Sequence, residues 1–238
     1  SKMETQGSRI GIVFNGSPLF TGDGGSGESE IRRWIIENDM LECVVSLPDQ
    51  LFFNTGISTY IWIVTNKKKS QRKGKVQLID GSTFYKPMKK SLGSKRKEIS
   101  SEQTESLIQS YKNFEENEFS KIFDNEFFGY TKVTIEQPLV ENGKMILKKD
   151  GNPKPNSKLR DSERIPLTED IEEYFNREVE PHLPHSWMDR EKDKVGYELN
   201  FTKYFYQYKP LRSLGDITSD LLELEKESKG IFKEIVNE

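Results

Sequence analysis

One cysteine and two histidines are all that this sequence offers in thiol or imidazole chemistry. A single thiol excludes a disulfide within the chain. Cys43 sits in the apolar run LECVVSLP, the setting of a buried strand residue rather than a nucleophile or ligand. His182 and His185, in EPHLPHSW, have a spacing that zinc sites use, but no cysteine or further histidine completes a set. Pro181 and Pro184 also disfavour a regular helix face, so the pair reads as a structural turn and no metal is expected. No run approaches twenty apolar residues and no secretory leader is evident, so no membrane partner is expected and the location reads as cytoplasmic. The carboxylates are scattered, and none forms an obvious acid and base pair.

What is present is charge and aromatic bulk. Charged residues make up 32% of the 238 and hydrophobic ones only 33%, yet 14 Phe, 9 Tyr and 3 Trp supply the core material that disordered chains lack. The net charge of −3 conceals an uneven distribution: between Lys67 and Lys97 twelve basic residues face one acid, Asp80, a local +11. Such a block on an acidic chain suggests a face directed at a polyanion, although a lysine run is more often a solvated loop.

The periodicities describe an α/β protein. RIGIVFN (9–15) reads as a buried strand, and ESEIRRWIIEND (28–39) as a helix with Ile31, Trp34 and Ile35 on its inner face. LECVVSLP (41–48), STYIWIVTNK (58–67) and the weaker GKVQLIDGS (74–82) read as further strands. Strand, helix, strand is a βαβ unit with parallel strands, whereas the short later connections call for antiparallel pairing at the end of the sheet. SSEQ (100–103) fits a capping box ahead of a helix through Leu107, Ile108, Tyr111 and Phe114. YTKVTIEQP (130–138) suits a strand, Asn142-Gly143 a hairpin turn and 148–161 a mobile loop; LTEDIEEYFNREV (167–179) suits a helix capped by Thr168. In the last segment Ile217, Leu221, Leu224, Ile231 and Ile235 follow a near-heptad spacing, which fits either packing on the chain's own domain or docking to a partner's helices.

The blocks NGSPLFTGDGGSGESEIRRWIIENDMLECVVSLPDQLFFNTGISTYIWIVTNKK, GKVQLID and VGYELNFTKYFYQY closely resemble the modification subunit of type I restriction–modification systems, adenine-N6 DNA methyltransferases. The resemblance implies the C-terminal half of a Rossmann-like methyltransferase sheet with a mostly helical C-terminal extension. Residues 1–98 would hold its late strands and helix and end in the basic region, 99–212 a mixed α/β region and 213–238 a docking helix. The family holds S-adenosylmethionine with a pattern like Asp-Pro-x-x-Gly-x-Gly-Gly and the flipped adenine with Asn-Pro-Pro-Phe or Asn-Pro-Pro-Tyr, and neither occurs here. Asn152–Pro155, NPKP, lacks both the second adjacent proline and the aromatic. The resemblance therefore implies a C-terminal fragment of an S-adenosylmethionine-dependent parent, with the cofactor site elsewhere and the isolated chain inactive.

Aligned on Thr-Gly-Ile, the family's base-enclosing aromatic falls on Phe52, with Phe53, Asn54 and Thr55 beside it; Phe53 reads as core. An extruded base needs an apolar face to replace its lost stacking. Lys67, Lys68, Lys69, Arg72, Lys73, Lys89, Lys90, Lys95, Arg96 and Lys97 are the candidates for the DNA backbone, and such contacts position a duplex without reading it. Double-stranded DNA, a specificity subunit, a restriction subunit and a second modification subunit are the implied partners. A non-catalytic interaction module is the alternative reading. The glycine-rich stretch TGDGGSGES has no lysine for phosphate, and Asp23 and Glu28 would repel one. It reads as a tight, mobile connection in which Ser26 or Ser29 caps the following helix.

Overall fold

A computed structural model describes residues 3–208 and 210–236, with side chains described as far as residue 228. β1 (Arg9–Asn15) leads through one helical turn, α1 (Ser17–Phe20), into α2 (Gly27–Glu37), and β2 (Leu41–Leu47), β3 (Thr59–Thr65) and β4 (Lys75–Asp80) follow. β5 (Lys86–Leu92) and β6 (Lys95–Glu98) precede α3 (Ser101–Asn113), β7 (Ser120–Asp124) and β8 (Gly129–Glu136). The two-residue strands β9 (Val140–Glu141) and β10 (Lys144–Met145) come next, then β11 (Asp161–Pro166) and α4 (Ile171–Tyr174), which runs on as a π-helix over Phe175–Val179. β12 (Trp187–Tyr197), α5 (Phe201–Phe205) and α6 (Leu214–Val236) complete the order. One compact unit ends at Tyr204 and a second begins at Phe205.

The first sheet has the order β1-β3-β2-β4-β7. β3 pairs antiparallel with both β1 and β2, while β2 and β4 are parallel. β1, β2 and β4 therefore share one direction, as a βαβ crossover through α2 requires. β2 is buried along its whole length because both faces are covered, which is why it reads as an unbroken apolar run. α3 closes one face over Cys43, Val45, Leu47, Ile79 and Leu107; burial pushes the Cys43 thiol pKa up and keeps it inert. The capping box expected at Ser100 and Gln103 is present.

A bulge between Leu41 and Cys43 makes Glu42 the extra residue of β2. Its carboxylate accepts from Arg9 Nε at 2.7 Å and from the Tyr111 hydroxyl at 2.9 Å. Burial pushes the Glu42 carboxyl pKa up, but those two bonds together with the charges of Arg9 and Arg72 outweigh it and leave it below the ordinary value. The same arrangement, burial first and then Glu42, pushes Tyr111 up to about 12.

The second sheet, β11-β8-β12, is antiparallel and packs Val133, Ile135 and Ile165 under Phe175 and Val179. Several expectations are corrected. Asp170 rather than Thr168 caps the helix near 171, because residues through Pro166 belong to β11. Residues 86–98, read as loop, form a hairpin. The first sheet takes β7 from beyond residue 98, so it crosses the boundary expected there. Asn142 and Gly143 do turn the small β9–β10 hairpin, both with positive φ (51° and 77°), as a type I′ turn requires.

Candidate functional site

Ligands of open α/β sheets gather outside the carboxyl ends of parallel strands, which here are Asn15, Leu47 and Asp80. The ends of β2 and β4 are tied together. The Ser46 hydroxyl donates to Asp80 Oδ1 at 2.6 Å and the Gly81 N–H to Ser46 O at 3.1 Å. From this edge rises the loop 48–58, which makes two left-handed turns at non-glycine residues, Gln50 (φ 55°) and Asn54 (φ 60°). Asparagine tolerates that conformation better than most residues. The loop holds its aromatics out: Phe52 is 39% exposed and Phe53 64%. Phe53, expected in the core, is therefore the more exposed of the two. Asn54 is exposed beside it, and Thr55 is half-buried with its hydroxyl accepting from the Ile57 N–H.

The β5–β6 hairpin is fastened to this loop. The Arg96 and Lys97 N–H groups both donate to Gln50 O, at 3.0 and 3.2 Å. The Lys97 ammonium pairs with Asp49 and lies 3.9 Å from the centre of the Tyr85 ring. The Asp49 hydrogen bond pushes the Lys97 pKa up. At the hairpin tip, a Cβ added to Gly93 would lie 3.8 Å from the Phe53 ring and 3.9 Å from Asn54 Oδ1. Lys89, Lys90 and Arg96 are exposed and Lys95 half-buried. None of these four has a carboxylate partner among the described residues.

The rest of the basic block lies elsewhere. Lys67, Lys68, Lys69, Arg72 and Lys73 precede β4 and so sit at its amino end, six residues or roughly 20 Å from the edge where the aromatic loop rises. Lys68 is buried: its ammonium donates at 2.6 Å to Asp39 Oδ1 and at 2.6 Å to Lys75 O. Arg72 is buried too, donating to Gln77 Oε1 at 3.1 Å and to Tyr111 O, with its guanidinium 4.5 and 4.4 Å from the Tyr111 and Phe114 ring centres. Lys67 reaches back to Gln6 O at 2.9 Å. Lys68 and Arg72 are thus structural rather than phosphate-facing, and Lys97 serves Asp49. Lys69 and Lys73 are exposed, but on the opposite edge.

The glycine-rich loop is a tight connection, but a pinned rather than a mobile one. Gly22 and Gly25 have φ of 85° and 83°, and the Gly24 N–H donates to the Tyr130 hydroxyl at 3.1 Å. Asp23 pairs with Lys132 and with Arg164, and the Lys132 hydrogen bond, ahead of Gly24 N–H and Arg164, holds its carboxyl below the usual carboxylate range. Ser26 caps α2, accepting from the Ser29 N–H. The inner face of α2 is Ser29, Arg32 and Ile36, not Ile31 and Trp34, which are 62% and 58% exposed; Ile35 is half-buried. The cause is Arg32. Its guanidinium donates to Tyr197 O (2.7 Å), Pro18 O (3.1 Å), Thr21 O (2.6 Å) and Gly22 O (3.3 Å), so the helix turns its cation inward. Ile31 and Ile35 instead line an apolar groove of about 590 Å³ with Ile12, Phe14 and Trp62.

Sequence reasoning missed Asp49, Gln50, Tyr85 and Arg32. The lone acid at the foot of the aromatic loop, facing a basic hairpin, was the one local signal for the first of these. His182 and His185 fall in the turns after Val179, and among the described residues no group of three or more His, Cys, Asp or Glu could hold a metal. On α6 Ile217, Leu221 and Leu224 are 39%, 61% and 60% exposed. The side chains of Ile231 and Ile235 lie outside the described residues. Among the described residues no helix is long and apolar enough to cross a membrane.

The family profile described as N-6 DNA Methylase matches residues 1–135. Over 119 residues, half of this chain and 20% of the relative, the sequence is 34% identical to the type I restriction enzyme MjaVIII methylase subunit of Methanocaldococcus jannaschii. It is 53% identical over 53 residues to the HindI methylase subunit of Haemophilus influenzae, covering 22% of this chain and 12% of that one. Among solved structures, the type I restriction-modification system methyltransferase subunit from Streptococcus thermophilus is 26% identical with a TM-score of 0.43, covering 50% of this chain and 24% of that one. The matched region spans about a fifth of the M. jannaschii relative.

Proposed function

The chain belongs to the N-6 DNA methylase family, and from that premise we propose that it is part of a type I restriction–modification methyltransferase subunit that methylates adenine N6 in double-stranded DNA. The observation that carries this reading is the loop 48–58, which presents Phe52 and Phe53 beside Asn54 and Thr55 at the carboxyl edge of the parallel strands. An adenine turned out of a duplex loses its stacking, and an exposed ring on a fixed loop restores it, at roughly 1–3 kcal/mol per base. In this reading Phe53 offers the broader face and Asn54 and Thr55 form the polar rim. The sheet would be the later part of a Rossmann-like methyltransferase sheet, and the region beyond it an extension.

The family implies S-adenosylmethionine as methyl donor. The residues of this chain's glycine-rich loop do not fit it. The Gly24 N–H is taken by Tyr130, Asp23 is held by Lys132 and Arg164, and a Cβ on Gly24 would already lie 3.4 Å from Lys194 O, so the loop encloses no cradle. The isolated chain is inactive in this reading. Micromolar S-adenosylmethionine binding by the chain in calorimetry would overturn that placement.

The base-pocket reading is tested by comparing a perfect duplex with one carrying an unpaired adenine. The chain is expected to prefer the unpaired adenine, and Phe53→Ala or Phe52→Ala to reduce that preference about 5- to 150-fold, the equivalent of the stacking energy. Equal affinity for both duplexes, untouched by either substitution, refutes it. The exposed apolar side chains of α6 support a docking role toward a specificity subunit within an assembly that also holds a restriction subunit and a second modification subunit. Capture of the cognate specificity subunit should be lost when the chain is truncated before Ser213; retention removes the docking helix from the proposal.

A further inference from the structure

We propose that the β5–β6 hairpin and the loop 48–58 act as one clamp on the phosphate backbone of duplex DNA, latched by Asp49 and Lys97, and that the amino-edge cations Lys69 and Lys73 take no part. The inference rests on the DNA reading above and narrows it to one edge of the sheet and one device.

The first support is the pattern of pairing. The chain has 39 acidic and 36 basic residues, so carboxylates are in surplus. Many surface cations, Arg33, Lys75, Lys132 and Arg164 among them, hold ion pairs, while others, such as Lys112, Lys144, Lys149 and Lys158, are exposed without one among the described residues. Lys89, Lys90, Lys95 and Arg96 have none either, and they differ in being gathered within eight residues on one ribbon of two short strands. A polyanion that binds this ribbon meets all four at once. An isolated two-stranded hairpin is also marginal in water, so this one needs an anchor.

The second support is that anchor. Both Arg96 N–H and Lys97 N–H converge on a single carbonyl, Gln50 O, and the Lys97 ammonium reaches Asp49 next to it. Three residues, Leu51 to Phe53, separate Gln50 from Asn54 at the far side of the aromatics, and the hairpin tip returns to Phe53 and Asn54. Cations and rings are therefore held at a fixed offset. A backbone gripped by Lys89, Lys90 and Arg96 is placed beside the ring that receives a base. Asp49 and Lys97 are positioning residues here: they touch no DNA and set where the hairpin stands.

The third support is what the fold excludes. Lys68 and Arg72 are buried, and Lys69 and Lys73 lie at the opposite end of β4. A single phosphate track cannot be contiguous with both ends without crossing the body of the sheet.

The test is fluorescence anisotropy of the full chain with a labelled 30-base-pair duplex between 50 and 200 mM salt. Each phosphate neutralised contributes about 0.9 to the slope of log affinity against log salt, so Lys89→Ala/Lys90→Ala/Arg96→Ala together should reduce the slope by about 2 to 3. Lys69→Ala/Lys73→Ala should leave it unchanged. Asp49→Asn separates a latch from simple charge. Removing an acid should tighten DNA binding by electrostatics alone, whereas loss of the latch should weaken it several-fold, with circular dichroism and melting confirming that each variant folds. An unchanged slope in the triple variant, an equal loss in the amino-edge variant, tighter binding by Asp49→Asn, or no salt-dependent binding by the unaltered chain each overturns the clamp. A chain that keeps the Phe52 and Phe53 preference for an unpaired adenine but fails these tests loses the clamp and retains the base-pocket reading.

Discussion

Replacing Arg32 by methionine should destabilise the chain by about 3–5 kcal/mol, the range for removing one side of a buried charged arrangement. The side chain is 2% exposed and no carboxylate pairs with it; its guanidinium donates to the four carbonyls of Tyr197, Pro18, Thr21 and Gly22. Burial, acting first, pushes the guanidinium pKa down, with Tyr130 and Glu198 acting against it, which is the mark of a charge taken out of water. Hydrogen bonds to a charged group contribute about 1.5–3 kcal/mol each in net terms. Four that share one guanidinium and its desolvation cost cannot sum freely, so the total should fall near the loss of two. Methionine keeps the aliphatic volume, which limits any cavity contribution and leaves four unpaired carbonyls as the source of the loss.

Urea unfolding followed by circular dichroism measures this directly, with an unchanged m-value showing that the compactness of neither state has altered. Arg32→Lys should fall between, since an ammonium cannot present the planar fork that reaches Pro18 of α1, Thr21 and Gly22 of the loop and Tyr197 of β12 together. The neighbour Arg33, in exposed pairs with Glu30 and Glu37, is the control: Arg33→Ala should cost less than about 0.5 kcal/mol. A loss below about 1 kcal/mol for Arg32→Met would refute the claim that this cation organises the glycine-rich loop.

Further predictions concern the core and its charges. A Cβ on Gly196 would lie 2.5 Å from the Tyr130 hydroxyl and 3.0 Å from Gly24 Cα, so Gly196→Ala should cost about 1–3 kcal/mol in thermal or urea unfolding. Lys68→Met removes the ammonium bonded to Asp39 Oδ1 and Lys75 O, but Asp39 keeps Asn125 and the Gly74 N–H, so about 1–3 kcal/mol is expected. Glu42, Asp39 and Asp23 all have folded pKa values below their ordinary 4.5, 3.8 and 3.8. Their contribution is complete above those values and disappears as pH falls through the lower folded ones. The urea midpoint should therefore be flat from pH 7 to about 5 and decline below it, and Glu42→Gln should lower it at pH 7 while flattening the decline.

Much of the first sheet was legible because its strands are apolar, short and separated by turn residues. The buried run of β2, the Ser100 capping box and the Asn142-Gly143 turn each follow from a local rule. What was hidden has a common cause. β5, β6 and β12 carry KPMKKSL, KRKE and WMDREKDKVGY, sequences without an alternating apolar face, because each is held by backbone pairing on a solvated ribbon or edge. The inner face of α2 was misjudged for a different reason: hydrophobic spacing favoured Ile31 and Trp34, and the competing demand came from backbone carbonyls outside the helix, one of them 165 residues away. In the basic block, residue type and spacing were visible, but only the strand topology separates Lys69 and Lys73 from Lys89, Lys90 and Arg96.

The pinned glycine-rich loop also carries a clock. Arg32 and its last acceptor, Tyr197 O, are 165 residues apart in the chain, and Asp23 waits 141 residues for Arg164. At about 5–20 residues per second of synthesis, Arg32 spends roughly 8 to 33 seconds without its final partner. Its other three acceptors, Pro18, Thr21 and Gly22, lie within 14 residues and are made before it. The full set of four carbonyls around Arg32 therefore cannot exist before β12 has been made.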